Sequence, residues 1–121
     1  FRSFEKRVLP ELLRRRIGVV SMKSLGGFMS DMLYQTRLSY VDCLRYAMSL
    51  PVSSVIVGME NMDQLRKNLE VARHFVPLSP GERTLLLAKT APFAGDGRLE
   101  KYKTSTDFDG TAGKKAHGFI R

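Results

Sequence analysis

Two short apolar runs, Ile17–Met22 and Ser54–Gly58, constrain this chain more than any other feature. Both are rich in β-branched residues, and charge or glycine bounds them. Runs of this kind read as strands buried on both faces, as in a parallel sheet. Helical patterns separate and flank them. Apolar residues at 4, 8, 9, 12 and 13 predict a helix kinked by Pro10, its regular part running from about Val8 to Arg16. Residues 28–38 are irregular. Ser39 is placed to cap a helix over about 40–50, with Asp42 in its first turn, Val41, Leu44, Ala47 and Met48 on one face, and Pro51 ending it. Asn61 and Gln64 form a capping-box pair, and Met62, Leu65, Leu69, Ala72 and Val76 then predict one buried stripe. Ser79-Pro80-Gly81-Glu82 starts a last helix running to about Ala91. From Pro92 onward the pattern fades into an extended or poorly ordered tail. Residues 1–91 therefore form the structured section and 92–121 the tail. Strands alternating with helices imply right-handed βαβ connections and a parallel sheet. Two strands alone leave unpaired edges, so the pattern reads as a section of a larger α/β domain.

Composition removes several function classes. With 43% hydrophobic and 26% charged residues, the chain is not disordered throughout. No uncharged apolar stretch is long enough to span a bilayer. The first sixteen residues carry eight charges, unlike a secretory leader. Cys43 is the single cysteine, so an intramolecular disulfide framework and a Cys-rich metal site are both excluded. A cytoplasmic protein with no membrane partner is the expectation. The first residue, Phe1, is not Met, which suggests a processed product or a piece of something longer.

The net charge is +8, and its placement is uneven. Residues 1–16 hold six basic and two acidic groups, and residues 97–121 hold six and three. The stretch between them holds eight basic and seven acidic groups, so it is nearly neutral. Arg14, Arg15 and Arg16 form the densest run. Arginines so placed can track a phosphate backbone, but cations at a helix end are more often solvated beside its negative pole. No stacking aromatics lie among them in sequence, and no zinc-finger or RNA-recognition motif is present. The reading therefore disfavours nucleic acid as a partner.

In parallel α/β folds, ligands bind beyond the carboxyl ends of the strands. The first such end reads Met22-Lys23-Ser24-Leu25-Gly26-Gly27. A lysine, a serine and two glycines there suit a phosphate, or else a turn that needs glycine's positive φ. The second reads Gly58-Met59-Glu60-Asn61 and leads into a helix carrying Gln64 and Asn68. Those two amides share a helix face and could bracket a planar heterocycle, although Asn61 and Gln64 also suffice as caps. His74 and His117 have no ligand-like neighbours, so no metal site is expected. Cys43 lies among apolar residues and reads as packing. The residues themselves show no complete active site.

Taken together, several segments resemble the late barrel of the aldo-keto reductase family. They are Arg7–Leu12, Ile17–Gly27, Leu44–Val52, Val55–Met59, Asp63–Leu69, Leu78–Arg83 and the tail motif Phe108-Asp109-Gly110. The resemblance implies the C-terminal portion of a (β/α)8 TIM barrel: about two parallel strands with flanking helices and a C-terminal extension, from a domain of about 250 residues. It further implies an NAD(P)(H)-dependent oxidoreductase that reduces aldehydes or ketones, with NADP or NAD as cofactor and a small carbonyl substrate. The family's catalytic Asp, Tyr, Lys and His lie on earlier strands, so no catalytic residue carries over and the chain by itself is expected to be inactive. Part of the cofactor site does carry over. Met22 falls where many members place an aromatic against the nicotinamide. Lys23, Leu25 and Gly26 match the stretch bordering the pyrophosphate. Gly58, Met59 and Glu60 match the loop near the adenosine ribose, and Gln64 and Asn68 match the adenine end. Two alternatives of other classes are a basic nucleic-acid-binding module and a non-catalytic remnant.

Overall fold

A computed structural model describes residues 1–27, 30–104 and 110–120. Their elements run α1 (Phe4–Arg7), α2 (Leu9–Arg14), β1 (Val20–Ser21), α3 (Met32–Thr36), α4 (Tyr40–Met48), β2 (Ser54–Val55), α5 (Met62–Arg73), α6 (Pro80–Thr90), a 3-10 turn (Ala91–Phe93), α7 (Lys101–Thr104) and α8 (Thr111–Ala116). The chain is mixed α/β. β1 and β2 pair in parallel, Val20 opposite Ser54 and Ser21 opposite Val55.

Local chemistry explains most boundaries. Pro10 sits in the first turn of α2, where its missing N–H costs nothing, and the first helix breaks at Val8 into α1 and α2. Ser39 and Asp42 close a reciprocal capping box on α4, and Ser79 and Glu82 close another on α6 behind Pro80. The Asn61–Gln64 pair differs from the expected box. Asn61 Oδ1 accepts from the Gln64 N–H at 2.9 Å, but Gln64 Oε1 accepts from the Glu60 N–H at 2.7 Å, one residue short of the cap.

Both strands are shorter than their apolar runs, and they are not buried on both faces. Val19 is 5% exposed while Val20 is 56% exposed, and Ile56 is exposed beside half-buried Val55 and Val57. Burial thus alternates, as in strands covered on one face. The α5 stripe is likewise corrected. Met62, Leu69, Ala72 and Val76 are exposed, Leu65 is half-buried, and Val71 is the buried residue of that helix. On the stripe side, an open groove takes the place of a packing partner.

The first part of the tail, up to Thr104, is docked on the rest of the chain. The Phe1 N–H donates to the Ala94 carbonyl, Ser30 Oγ donates to the Leu99 carbonyl at 2.9 Å, and Leu99 is buried. Within residues 28–38, expected to be irregular, α3 forms and Tyr34 is exposed, whereas Phe28 and Met29 lie outside the described residues. Phe108 and Asp109 of the tail motif also lie outside them.

The core is thin. A folded monomer of 13.7 kDa exposes about 6,600 Å² on the usual mass scaling, whereas this chain exposes 9058 Å². What core exists centres on α4, where Cys43, Leu44 and Ala47 are buried and Leu44 is only 2% exposed. The same helix anchors α1 and α6. Tyr46 OH donates to Glu5 Oε2 at 2.8 Å, Arg83 pairs with Glu5, and Arg45 pairs with Glu82 at 3.1 Å.

Two outcomes are expected. Leu44→Ala should cost about 2–5 kcal/mol in urea unfolding, a large share of the stability of so small a core. Alkaline pH should also destabilise the fold. Burial and the neighbouring Glu5 carboxylate push the Tyr46 phenol up from 10.0 to about 12, and burial pushes the Cys43 thiol up from 9.0 to about 11. Both folded-state values are raised, so these contributions are intact below pH 9.0 and are lost as pH climbs towards about 12. In Tyr46→Phe the part of the decline above pH 10.0 should flatten in pH-resolved denaturation.

Candidate functional site

Parallel pairing sends the carboxyl ends of β1 and β2 to the same end of the sheet, and the Ile56 N–H donates to the Ser21 carbonyl at 2.8 Å. The two segments picked out in the sequence, 22–27 and 58–61, leave from that shared end.

The first segment is a tight turn. The Gly26 N–H donates to the Lys23 carbonyl at 2.9 Å, and Lys23, Gly26 and Gly27 all take positive φ. Gly26 is buried, and a Cβ there would collide with Ser30 Oγ and lie 2.9 Å from the Leu99 carbonyl. Glycine is thus required at 26 by the chain's own packing, and its Cβ side offers no space for a phosphate. Lys23 is exposed, Met22 is 59% exposed and Leu25 is half-buried. Between them, Ser24 Oγ is buried with no hydrogen-bond partner among the described residues.

The second segment is open. Nothing lies within 4 Å of the place a Gly58 Cβ would take. Met59 and Glu60 are exposed. Gln64 and Asn68 are on one helix but play different parts. The Gln64 carboxamide oxygen is occupied by the Glu60 N–H. Asn68 turns towards α4, where Tyr40 OH donates to its Oδ1, and its Nδ2 is buried without a partner. Burial, partly offset by that hydrogen bond, raises the Tyr40 pKa.

Asn68 also lines an open groove of about 440 Å³ between α4, β2 and α5. Its wall is largely apolar, with Met48, Val55, Val57, Leu65 and Leu69 among the lining residues, and no charged side chain among the described residues lines it. The sequence singled out Asn68 but missed Tyr40, which lies 28 residues away with no local pattern to link them. Ser24 is among the residues read as suiting a phosphate, although the resemblance carries over only its neighbours Met22, Lys23, Leu25 and Gly26.

Among the described residues, no three of His, Cys, Asp and Glu come together to hold a metal ion. His74 is exposed, with Nδ1 3.1 Å from the Glu70 carbonyl. Cys43 is buried, and its raised pKa suits packing rather than nucleophilic attack. Among the described residues no helix is long and apolar enough to cross a membrane.

Backbone geometry separates the two glycines. Gly26→Ala should destabilise by at least about 1 kcal/mol, because it adds a Cβ at positive φ against Ser30 and Leu99. Gly58→Ala should stay within about 0.5 kcal/mol of the parent in urea titrations. No protein-family model, curated protein or solved structure matches the chain.

Proposed function

We propose that this chain is the C-terminal section of an aldo-keto reductase barrel, contributing the pyrophosphate-to-adenine side of a nicotinamide-cofactor site. One observation carries the reading. Among the described residues, the two buried side-chain polar atoms without partners are Ser24 Oγ and Asn68 Nδ2. They fall in the two segments that the resemblance assigns to the cofactor. A buried polar atom without a partner costs about 1–3 kcal/mol, and native folds keep few of them. A dinucleotide would answer both once the turn and the groove wall shift to admit it, because phosphate oxygens accept from a hydroxyl and a heterocycle's ring nitrogens accept from an amide.

In this reading the cofactor supplies the hydride that reduces an aldehyde or ketone. Ser24 Oγ and the Lys23 ammonium hold the pyrophosphate, while Leu25 and Gly26 shape the turn beneath it. Met22 packs at the nicotinamide end. Gly58 and Met59 leave room for the ribose, Gln64 fixes the loop through Glu60, and Asn68 meets the adenine. Tyr40 occupies Asn68 Oδ1 and so turns the amide's N–H groups away from itself. The groups that move the substrate's proton come from other strands, so the chain alone does not turn over substrate. Glu60 repels a 2′-phosphate and accepts from a free 2′-hydroxyl, while Lys67 further along α5 would do the reverse. A cytoplasmic setting goes with this reading.

Thermal unfolding with NAD(H) and with NADP(H) tests it. Cofactor at about 100 times its Kd should stabilise the chain by roughly 2.7 kcal/mol. Ser24→Ala should shrink that shift while leaving the ligand-free midpoint unchanged or higher, since it removes an unpaired buried hydroxyl. Asn68→Asp should also shrink the shift, through the adenine end, while keeping an acceptor for Tyr40, and should lower the ligand-free midpoint because it buries a carboxylate unpaired with any cation. A midpoint that moves with neither cofactor would overturn the reading, and the better cofactor identifies whether Glu60 or Lys67 meets the ribose.

A further inference from the structure

We propose that the docked N-terminal and tail segments, residues 1–7 and 93–104, together form a binding surface for single-stranded nucleic acid. In the sequence the two basic regions are separated by a nearly neutral stretch. The fold joins them. The Phe1 N–H donates to the Ala94 carbonyl, Lys103 Nζ donates to the Phe1 carbonyl at 3.3 Å, and Gly97, at φ +78°, leaves no room for a Cβ beside the Phe1 ring.

The charges in the joined segments do not cancel. Its carboxylates are already committed: Glu5 to Arg83, Asp96 to Arg98 at 3.1 Å, and Glu100 to Lys103 at 2.5 Å. Arg2, Lys6, Arg7 and Lys101 are exposed and form no ion pair among the described residues. Next along the chain, Arg14 and Arg15 share the single carboxylate of Glu11.

Aromatic rings lie among these cations. The Arg2 guanidinium sits 5.0 Å from the Phe1 ring centre, and Lys103 Nζ sits 5.8 Å from that of Tyr102, which is itself exposed. The sequence around Arg14–Arg16 offers no such interleaving; the folded chain supplies it by bringing Lys103, with Tyr102 beside it, to Phe1. Cations that follow a phosphate chain, with aromatic faces on which bases stack, are the recurring device for binding single strands. Arginine's planar fork suits phosphate oxygens in particular. A membrane surface fits less well. Interfacial helices need a continuous apolar face, and α1 and α7 have four residues each. This proposal does not depend on the cofactor reading.

Fluorescence anisotropy of a labelled oligothymidylate of about 15 nucleotides, read from 50 to 200 mM KCl, tests it. Four phosphate contacts predict a slope of log K against log salt near about −3. The triple variant Lys6→Gln, Arg7→Gln, Lys101→Gln should flatten that slope by about 2 and weaken binding at least tenfold. The charge-matched control Arg37→Gln, Arg73→Gln, Lys89→Gln, drawn from exposed positions of the neutral stretch, should keep most of the parental slope. All six positions are exposed, so circular dichroism should show both variants folded. Absent binding, equal losses in the two triples, or tighter binding to phosphatidylserine-containing vesicles than to the oligonucleotide would each overturn the proposal.

Discussion

Helix α4 holds this fold together because its faces engage four other elements by different means. Leu44 fills the junction with β2 and α5, and Tyr40 reaches α5 through Asn68. Arg45 ties α6 through Glu82, and Tyr46 ties α1 through Glu5. Ser49, just past the helix end, accepts from the Leu78 N–H at 2.9 Å and fixes the entry to α6. With so little apolar surface buried elsewhere, these polar ties carry more of the tertiary organisation than is usual for a domain of this size. Each half-buried pair is also more sensitive to its partner's loss than an exposed one.

Local chemistry was legible in the sequence, and long-range placement was not. Ser39, Ser79 and Pro80 announce their helices because capping is decided within four residues. The parallel pairing of β1 and β2 followed from the alternation of apolar runs with helical patterns. The α5 stripe misled for a physical reason. Periodicity reports which side of a helix could be buried, and Met62, Leu69, Ala72 and Val76 have that spacing without a partner to cover them. The tail misled in the opposite direction. Its composition lacks any regular pattern, yet Leu99 finds a buried seat through contacts with residues far back in the chain. The candidate site was half legible. Residue types at strand ends pointed to segments 22–27 and 58–68, but which polar atoms lack partners depends on packing that no local pattern encodes.

That distinction matters for Gly26. A lysine and glycines after a strand read equally as an anion cradle or as a turn, and the surroundings decide between them. Ser30 and the Leu99 carbonyl fill the space beside Gly26, so the glycine serves the chain's own folding. Ser24 and the exposed Lys23 then remain as the groups in that turn with capacity for a ligand. The site reading accordingly rests on side chains more than on backbone amides.

The tail's docking also bears on how the chain reaches its fold. Contacts such as Ser30 with Leu99, Phe1 with Ala94 and Phe1 with Lys103 span 69, 93 and 102 residues. Closing loops of that size is entropically unfavourable until much of the chain is in place, and non-local contacts slow the search. During synthesis, at about 5–20 residues per second, Phe1 and the first helix emerge seconds before the residues that hold them. Residues 1–7 therefore stay undocked, and Gly26 lacks the carbonyl that crowds it, until the region around Leu99 has left the ribosome. That interval adds its own exposure to proteases and aggregation to the open apolar surface of the finished fold.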